Sequence, residues 1–352
     1  MLGTINRRSR SVISAYSLVI YAYVACKGNS YICVFTSKSC TIMPQCIAFH
    51  SYKGGTGKTT IACNLAAMLT FKGYNVSLLD LDVYAPSLHA YFGYEPNKWI
   101  NDLLFDNSDL SRVMADMTPA VSKYAASGID KKLGRLLVGF SNPQKDEIYK
   151  LEGSIKTANA NIQLLRRFVQ LREDLISDYD CDYVILDTSP GIRYWSINSL
   201  AVADVLFLTL KYGDLDIEGT IKMAKDIYGS FTKFGSRSYL LLNRVAGYCV
   251  PNSFALDSKP AENNNNNNND NGNDKNSTHS QEESHVELRA LGSELPSNTF
   301  LSDETKMEMI SAIPCYCDIQ FKRKEFLTVL QYPDHPFAKQ LESLSMTGHI
   351  KV

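Results

Sequence analysis

From Cys46 onward, short apolar runs alternate with amphipathic stretches. Residues 46–50 (Cys46-Ile47-Ala48-Phe49-His50) read as a buried strand, 59–71 as a helix closed by Gly73, and 76–80 as a second strand. Later apolar runs predict strands over 135–140, 183–187, 205–210, 238–243 and 309–313, and 3.6-residue patterns predict helices over 161–176, 195–202 and 214–228. Strands alternating with helices imply βαβ units. Runs with no polar alternation, such as Val205-Leu206-Phe207-Leu208, belong to strands covered on both faces. The expected fold is therefore α/β: a doubly wound, mostly parallel sheet with helices on both faces.

Three stretches depart from this rhythm. Residues 95–132, with Trp99, Leu103, Leu104 and Phe105, read as a small helical insertion. Asn263 begins a run of seven asparagines inside a polar segment, 252–284, whose lack of apolar surface predicts a disordered loop. Residues 1–42 do not fit the domain pattern. They carry Arg7, Arg8 and Arg10 before a mildly apolar run at 13–26, the outline of a signal peptide or short anchor. Met43-Pro44-Gln45-Cys46 leads directly into the first strand, so translation is expected to start at Met43.

Composition narrows the function classes. Hydrophobic residues at 45% and charged residues at 21% exclude collagen-like, coiled-coil and wholly disordered chains. A net charge of −1 argues against a uniformly basic nucleic-acid coat, leaving room for a local basic patch. Nine cysteines, an odd number at scattered spacing, read as reduced thiols rather than a disulfide framework, and point to the cytoplasm. No run approaches the roughly 20 apolar residues of a spanning helix.

The densest chemistry lies between the first strand and the first helix: Lys53-Gly54-Gly55-Thr56-Gly57-Lys58-Thr59-Thr60. Three glycines let the backbone turn its N–H groups toward phosphate oxygens at a helix N-terminus. Lys58 is placed to reach the β- and γ-phosphates, the Thr59 hydroxyl to ligate Mg²⁺, and the Thr60 hydroxyl to approach the α-phosphate. The strict phosphate-loop pattern has glycine six positions before the lysine, where this chain has Tyr52. Asp80 and Asp82 follow the second strand, and Tyr183-Val184-Ile185-Leu186-Asp187-Thr188-Ser189-Pro190-Gly191 is an apolar strand ending in an acid and a Pro-Gly turn.

Taken together these motifs resemble the ParA/MinD-type ATPases with the deviant Walker A loop, whose extra lysine is matched by Lys53. The resemblance runs from Met43 to about Leu344, apart from 95–132 and the Asn-rich segment. It implies that Lys53 reaches the phosphates of a partner copy in a nucleotide-sandwiched homodimer. It further implies that Asp82 orients the attacking water, that Asp80 and Asp187 support Mg²⁺ partly through water, and that Gly191 belongs to a γ-phosphate-sensing loop. Asn243, in Leu241-Leu242-Asn243-Arg244, matches the adenine-recognising amide, and Pro314, in Ile313-Pro314-Cys315-Tyr316-Cys317, the segment packing near the base. The implied activity is slow ATP hydrolysis with Mg²⁺, coupled to dimerisation and stimulated by a partner protein.

Three destinations follow from the family. A partition-type ATPase would bind non-specific DNA on the nucleoid, to which Lys322, Arg323 and Lys324 could contribute. A MinD-type regulator would use a C-terminal amphipathic helix on membrane. Residues 335–352 place Phe337, Leu341 and Leu344 at helical spacing but carry only Lys339 and Lys351 as cations, too few for such an anchor. An Mrp-type iron–sulfur carrier would use a Cys-x-x-Cys pair, whereas the close pair here is Cys315-x-Cys317.

Overall fold

The computed structural model describes residues 43–106, 108–125, 132–154, 158–211, 214–233, 235–245, 298–320, 327–346 and 350. The expectations for residues 1–42 and 252–284, and the basic run 322–324, lie outside them. In chain order the elements are β1 (Gln45–His50), α1 (Lys58–Phe71), β2 (Val76–Leu81), α2 (Leu88–Phe92), α3 (Ile100–Asp106), α4 (Leu110–Val113), β3 (Met114–Asp116) and α5 (Thr118–Ser122). Then come β4 (Leu136–Gly139), α6 (Lys145–Ser154), α7 (Ala158–Ser177), β5 (Tyr183–Thr188), α8 (Tyr194–Leu200), β6 (Val205–Lys211) and α9 (Asp214–Met223). A π-helical turn (Ala224–Tyr228) leads into α10 (Gly229–Lys233), β7 (Arg237–Val245), α11 (Asn298–Thr305), β8 (Glu308–Pro314), α12 (Cys317–Gln320), α13 (Thr328–Gln331) and α14 (Pro336–Met346).

Among the described residues eight strands form one sheet in the order β3-β4-β2-β5-β1-β6-β7-β8. Every pairing is parallel except that of β3 with β4, at one edge. The expected doubly wound sheet is therefore present, with one departure. Inside the stretch read as helical, Met114–Asp116 runs antiparallel to β4, pairing Met114 with Gly139 and Asp116 with Leu137. Three residues are too few for a period to emerge from the sequence.

The apolar runs do what burial on two faces requires. β1, β2 and β5 are buried along their whole length. On one face α7 buries Leu164, Phe168, Leu171 and Leu175, a spacing of three and four residues, beside Trp195 of α8. On the other face α1 is apolar nearly all round and buries residues from Ile61 to Thr70 between the sheet and the C-terminal elements. Gly73, at φ 105°, ends α1 in a turn where the Tyr74 N–H returns to the Leu69 carbonyl at 3.1 Å. Asn64, in the middle of α1, accepts a hydrogen bond from the Val329 N–H at 3.1 Å and so fixes α13. In α14, Phe337, Leu341 and Leu344 are all buried in this core, so that helix spends its apolar face inside the domain.

Register sets up the site. β2, β5 and β1 lie side by side, and Asp80, Asp187 and Phe49 form one row across them at their C-terminal ends. Ligands of open α/β sheets bind beyond this edge.

Candidate active site

After His50 the chain leaves β1 as the loop 51–57 and enters α1 at Lys58. The helix begins at Gly57, which is left-handed at φ 89°, with no side-chain cap and no acidic residue in its first turn. Its first amides are thus left to an anion, and the helix dipole favours one. Gly57 cannot be another residue. A Cβ there would fall 2.3 Å from Asn243 Nδ2, and that amide donates to the Thr56 carbonyl at 2.7 Å. Asn243, on β7, therefore does something the sequence did not reveal: it holds the tip of the glycine loop.

Lys58 is buried, and its ammonium donates to Ser51 Oγ at 2.9 Å. The Ser51 hydroxyl in turn donates to the Lys53 carbonyl at 2.6 Å. Burial pulls the Lys58 pKa below its ordinary value, opposed by the nearby charges of Asp187 and Asp82. Lys53 itself is exposed at the rim of the loop, as are Gly54 and Gly55.

Asp187, next to last in β5, lies beside this lysine. Both carboxylate oxygens are buried, and neither completes a well-formed hydrogen bond. Burial raises its pKa to about 6, against the lowering effects of Lys58 and the nearby Thr59 hydroxyl. Asp80, its neighbour on β2, has a different environment. Its Oδ1 accepts the Asp82 N–H at 3.1 Å, and its Oδ2 accepts those of Ser87 at 3.2 Å and Leu88 at 3.1 Å. Burial, then repulsion from Asp187, raises the Asp80 pKa well above the carboxylate range. Asp82 is half-buried at the start of the following loop, where its Oδ1 accepts the Ala85 N–H at 3.2 Å.

The loop after β5 is tied into the same constellation. Gly191 donates its N–H to the Ser51 carbonyl at 2.9 Å, and Ser189 Oγ donates to the Leu81 carbonyl at 3.1 Å. The indole N–H of Trp195 reaches the same carbonyl at 2.7 Å. Arg193 lies over the Tyr84 ring, 3.9 Å from its centroid, joining the loops that follow β5 and β2. Behind them sits His50. The Thr188 hydroxyl donates to the Phe49 carbonyl at 2.8 Å, and Thr188 Oγ1 lies within hydrogen-bond distance of His50 Nδ1, at 2.7 Å. Burial, aided by Lys58, pushes the His50 pKa down to about 3 and keeps the imidazole neutral.

Beside the glycine loop opens a pocket lined by Gly57, Thr60, Ile61, Asn243, Arg244, Ile313, Pro314, Cys315 and Phe337, which brings Asn243 and Pro314 together with Thr60. β7 bulges here: Arg244 takes φ 57°, and the pairing with β8 slips between Asn243 and Val245. The side chain of Cys317 lies outside the described residues. Among those residues no group of three His, Cys, Asp or Glu side chains could hold a metal ion, and no helix is long and apolar enough to cross a membrane.

Comparison with known proteins fits this geometry. A family model described as an AAA domain matches residues 44–233, more than half of the chain. The chain belongs to the ParA/MinD-type P-loop ATPase family. Among solved structures of that type, MinD of Pyrococcus horikoshii, complexed with Mg-ADP, superposes with a TM-score of 0.56 over 86% of this chain and 95% of that one, at 15% identity. At that identity the likeness speaks for the fold. Among curated relatives, a cytosolic Fe-S cluster assembly factor, the NUBP2 homolog of Culex quinquefasciatus, is 31% identical over 141 residues, 40% of this chain and 45% of that protein. The septum site-determining protein MinD of Bacillus subtilis is 30% identical over 162 residues, 46% and 51% of the two chains. The chain thus spans about half the length of the curated relatives it matches.

The residues of this ParA/MinD-type site that sequence reading passed over are Ser51, His50, Trp195 and the Arg193–Tyr84 pair. Each acts through a partner far away in the chain, so no local spacing announced it.

Proposed function

We propose that the chain binds and hydrolyses ATP with Mg²⁺ and uses the nucleotide to switch between monomer and homodimer. The observation that carries this reading is Asp187, a buried carboxylate whose oxygens complete no well-formed hydrogen bond, beside Lys58 and Thr59 at the mouth of a phosphate loop. A buried carboxylate is costly unless a cation meets it, and Asp187 with the Thr59 hydroxyl offers the hard oxygen donors that suit Mg²⁺. Bound there, Mg²⁺ would neutralise charge developing on the β- and γ-phosphate oxygens.

The chain's own groups supply the rest. Amides from Gly54 to Thr60 wrap the phosphates, Lys58 neutralises the β- and γ-oxygens, and Asn243 with Pro314 receives the base. Asp82 orients the water, and Asp80 holds the loop that carries Asp82. Catalysis is then electrostatic and positional, with no covalent intermediate. Lys53, exposed at the rim, reaches the phosphates of a second copy. A partner protein accelerates turnover, and the cellular role is DNA partitioning or spatial organisation in the cytoplasm.

Nucleotide titration and phosphate release test the chemistry. Lys58→Ala is expected to abolish ATP binding, and Asp82→Ala to bind ATP yet turn it over at least tenfold more slowly. An Asp82→Ala protein that matches the parent would remove Asp82 from the mechanism. For the destination, Asp82→Ala loaded with ATP or ADP is titrated against non-specific duplex DNA at two salt concentrations. Binding in the ATP state alone, weakened by salt, is the partition-type result.

A second reading, an iron–sulfur carrier ATPase, is favoured by the likeness to the NUBP2 homolog. Iron and sulfide bound after anaerobic reconstitution, and lost in Cys315→Ser, would support it over the first. For a membrane-bound regulator the burial of the apolar face of α14 is unfavourable.

A further inference from the structure

Tyr52, standing where the strict phosphate-loop pattern has glycine, has so far no role. Its ring lies against α9 at Gly219. A methyl group on Gly219 would fall 2.0, 2.2 and 2.6 Å from Tyr52 Cε1, Cδ1 and Cζ, so no other residue leaves room for the ring. Glycine inside a helix is destabilising relative to alanine, because it leaves more backbone freedom to be lost on folding. Helix α9 carries that cost at Gly219, where it meets Tyr52 of the phosphate loop.

The same helical segment grips the end of β1 a second time. Beyond α9 the helix widens into the π turn Ala224–Tyr228. Tyr228 is buried and stacks on His50, with ring centroids 6.3 Å apart and planes inclined by 24°. A π turn inserts one residue and rotates the downstream side chains by about 100°, and here it brings Tyr228 onto the strand end. The two contacts bracket Ser51, the residue that receives the Lys58 ammonium and donates to the Lys53 carbonyl.

We propose that α9 and its π turn form a clamp on the phosphate loop, with Tyr52, seated in the Gly219 notch, as the positioning residue for Lys53 and Lys58. Tyr52 touches no reacting atom; it acts through the backbone it shares with Ser51 and Lys53. A movement of α9 therefore displaces both lysines together, which couples the surface of that helix to phosphate affinity. The inference rests on the ATP reading above.

Calorimetric titration of Mg-ATP into the full chain tests it, comparing the parent, Gly219→Ala, Tyr52→Ala and the double variant. The methyl group of Gly219→Ala displaces the half-buried ring from its notch, so the ATP Kd should rise about tenfold. Tyr52→Ala loses the same seated ring without a clash and should weaken ATP by a similar factor, with the double variant no worse than either single one. Should Gly219→Ala alone fail to fold, the raised Kd of Tyr52→Ala carries the same conclusion. A Gly219→Ala or Tyr52→Ala protein with the parental Kd would overturn the proposal, as would effects that add in the double variant. A parent that binds no ATP would overturn the nucleotide reading and this inference with it, whereas a binding parent with an indifferent Gly219→Ala overturns the inference alone.

Discussion

Asp80 and Asp187 stand next to each other in register on β2 and β5, equally buried, at the same edge of the sheet. Their surroundings differ in kind. Asp80 accepts three backbone N–H groups from the loop that follows its own strand. Asp187 accepts none of comparable geometry, and faces a buried lysine and a threonine hydroxyl instead. One carboxylate is a structural knot that closes the loop carrying Asp82. The other faces the Lys58 ammonium and the Thr59 hydroxyl at the mouth of the phosphate loop, where the proposed reading places a metal ion. In this sheet, completeness of hydrogen bonding separates the two roles where position and burial do not.

Substitution of each acid breaks the comparison most directly. Asp80→Ala leaves three amides without their acceptor and should cost about 3 kcal/mol of stability, measured by urea denaturation of the ligand-free protein, with hydrolysis lost as well. Asp187→Asn should act in the opposite direction. Removing a buried charge whose pKa stands at about 6 even with Lys58 beside it should gain about 2 kcal/mol at pH 8, seen as a higher melting temperature without nucleotide. Equal and same-signed effects at the two positions would erase the distinction between them.

Acidification sharpens it further. His50 is neutral when folded, with a pKa near 3 against 6.5 when unfolded, so its contribution is complete above pH 6.5 and lost as pH falls from there toward 3. The Asp187 pKa is raised, so the folded state takes up that proton first and stability from this group grows as pH falls through about 6. The two oppose each other in the parent between pH 6.5 and 5. Melting curves of Asp187→Asn should therefore fall more steeply over that window than those of the parent, and adding His50→Gln should flatten them. The smallest effect is expected at Arg193→Ala, which removes the contact with Tyr84 between the two loops: under 1 kcal/mol of stability and about a twofold change in turnover.

How much of this was legible in the sequence depends on how local each determinant is. The strand Tyr183–Thr188 and the helix Ala158–Ser177 announce themselves by continuous and 3.6-residue apolar patterns, and the glycine loop by its spacing. The positions of Asp82 and Asp187 followed from strand ends. The features that stayed hidden depend on distance or on small departures from regularity. The Asn243 amide holds a carbonyl 187 residues earlier. A three-residue edge strand at Met114–Asp116 is too short to show alternation, and one inserted residue in the helix ending at Tyr228 leaves the apolar pattern nearly intact. The contrast between Asp80 and Asp187 is likewise invisible in sequence, because it turns on where the Ser87 and Leu88 amides fold back.

In the proposed reading Asp187 receives a cation that arrives with ATP. Affinity for ATP, titrated with and without Mg²⁺ in the parent and in Asp187→Asn, tests it most directly. Mg²⁺ should tighten ATP binding by at least tenfold in the parent and leave Asp187→Asn nearly unchanged. An Asp187→Asn protein that gains as much from Mg²⁺ as the parent would contradict it.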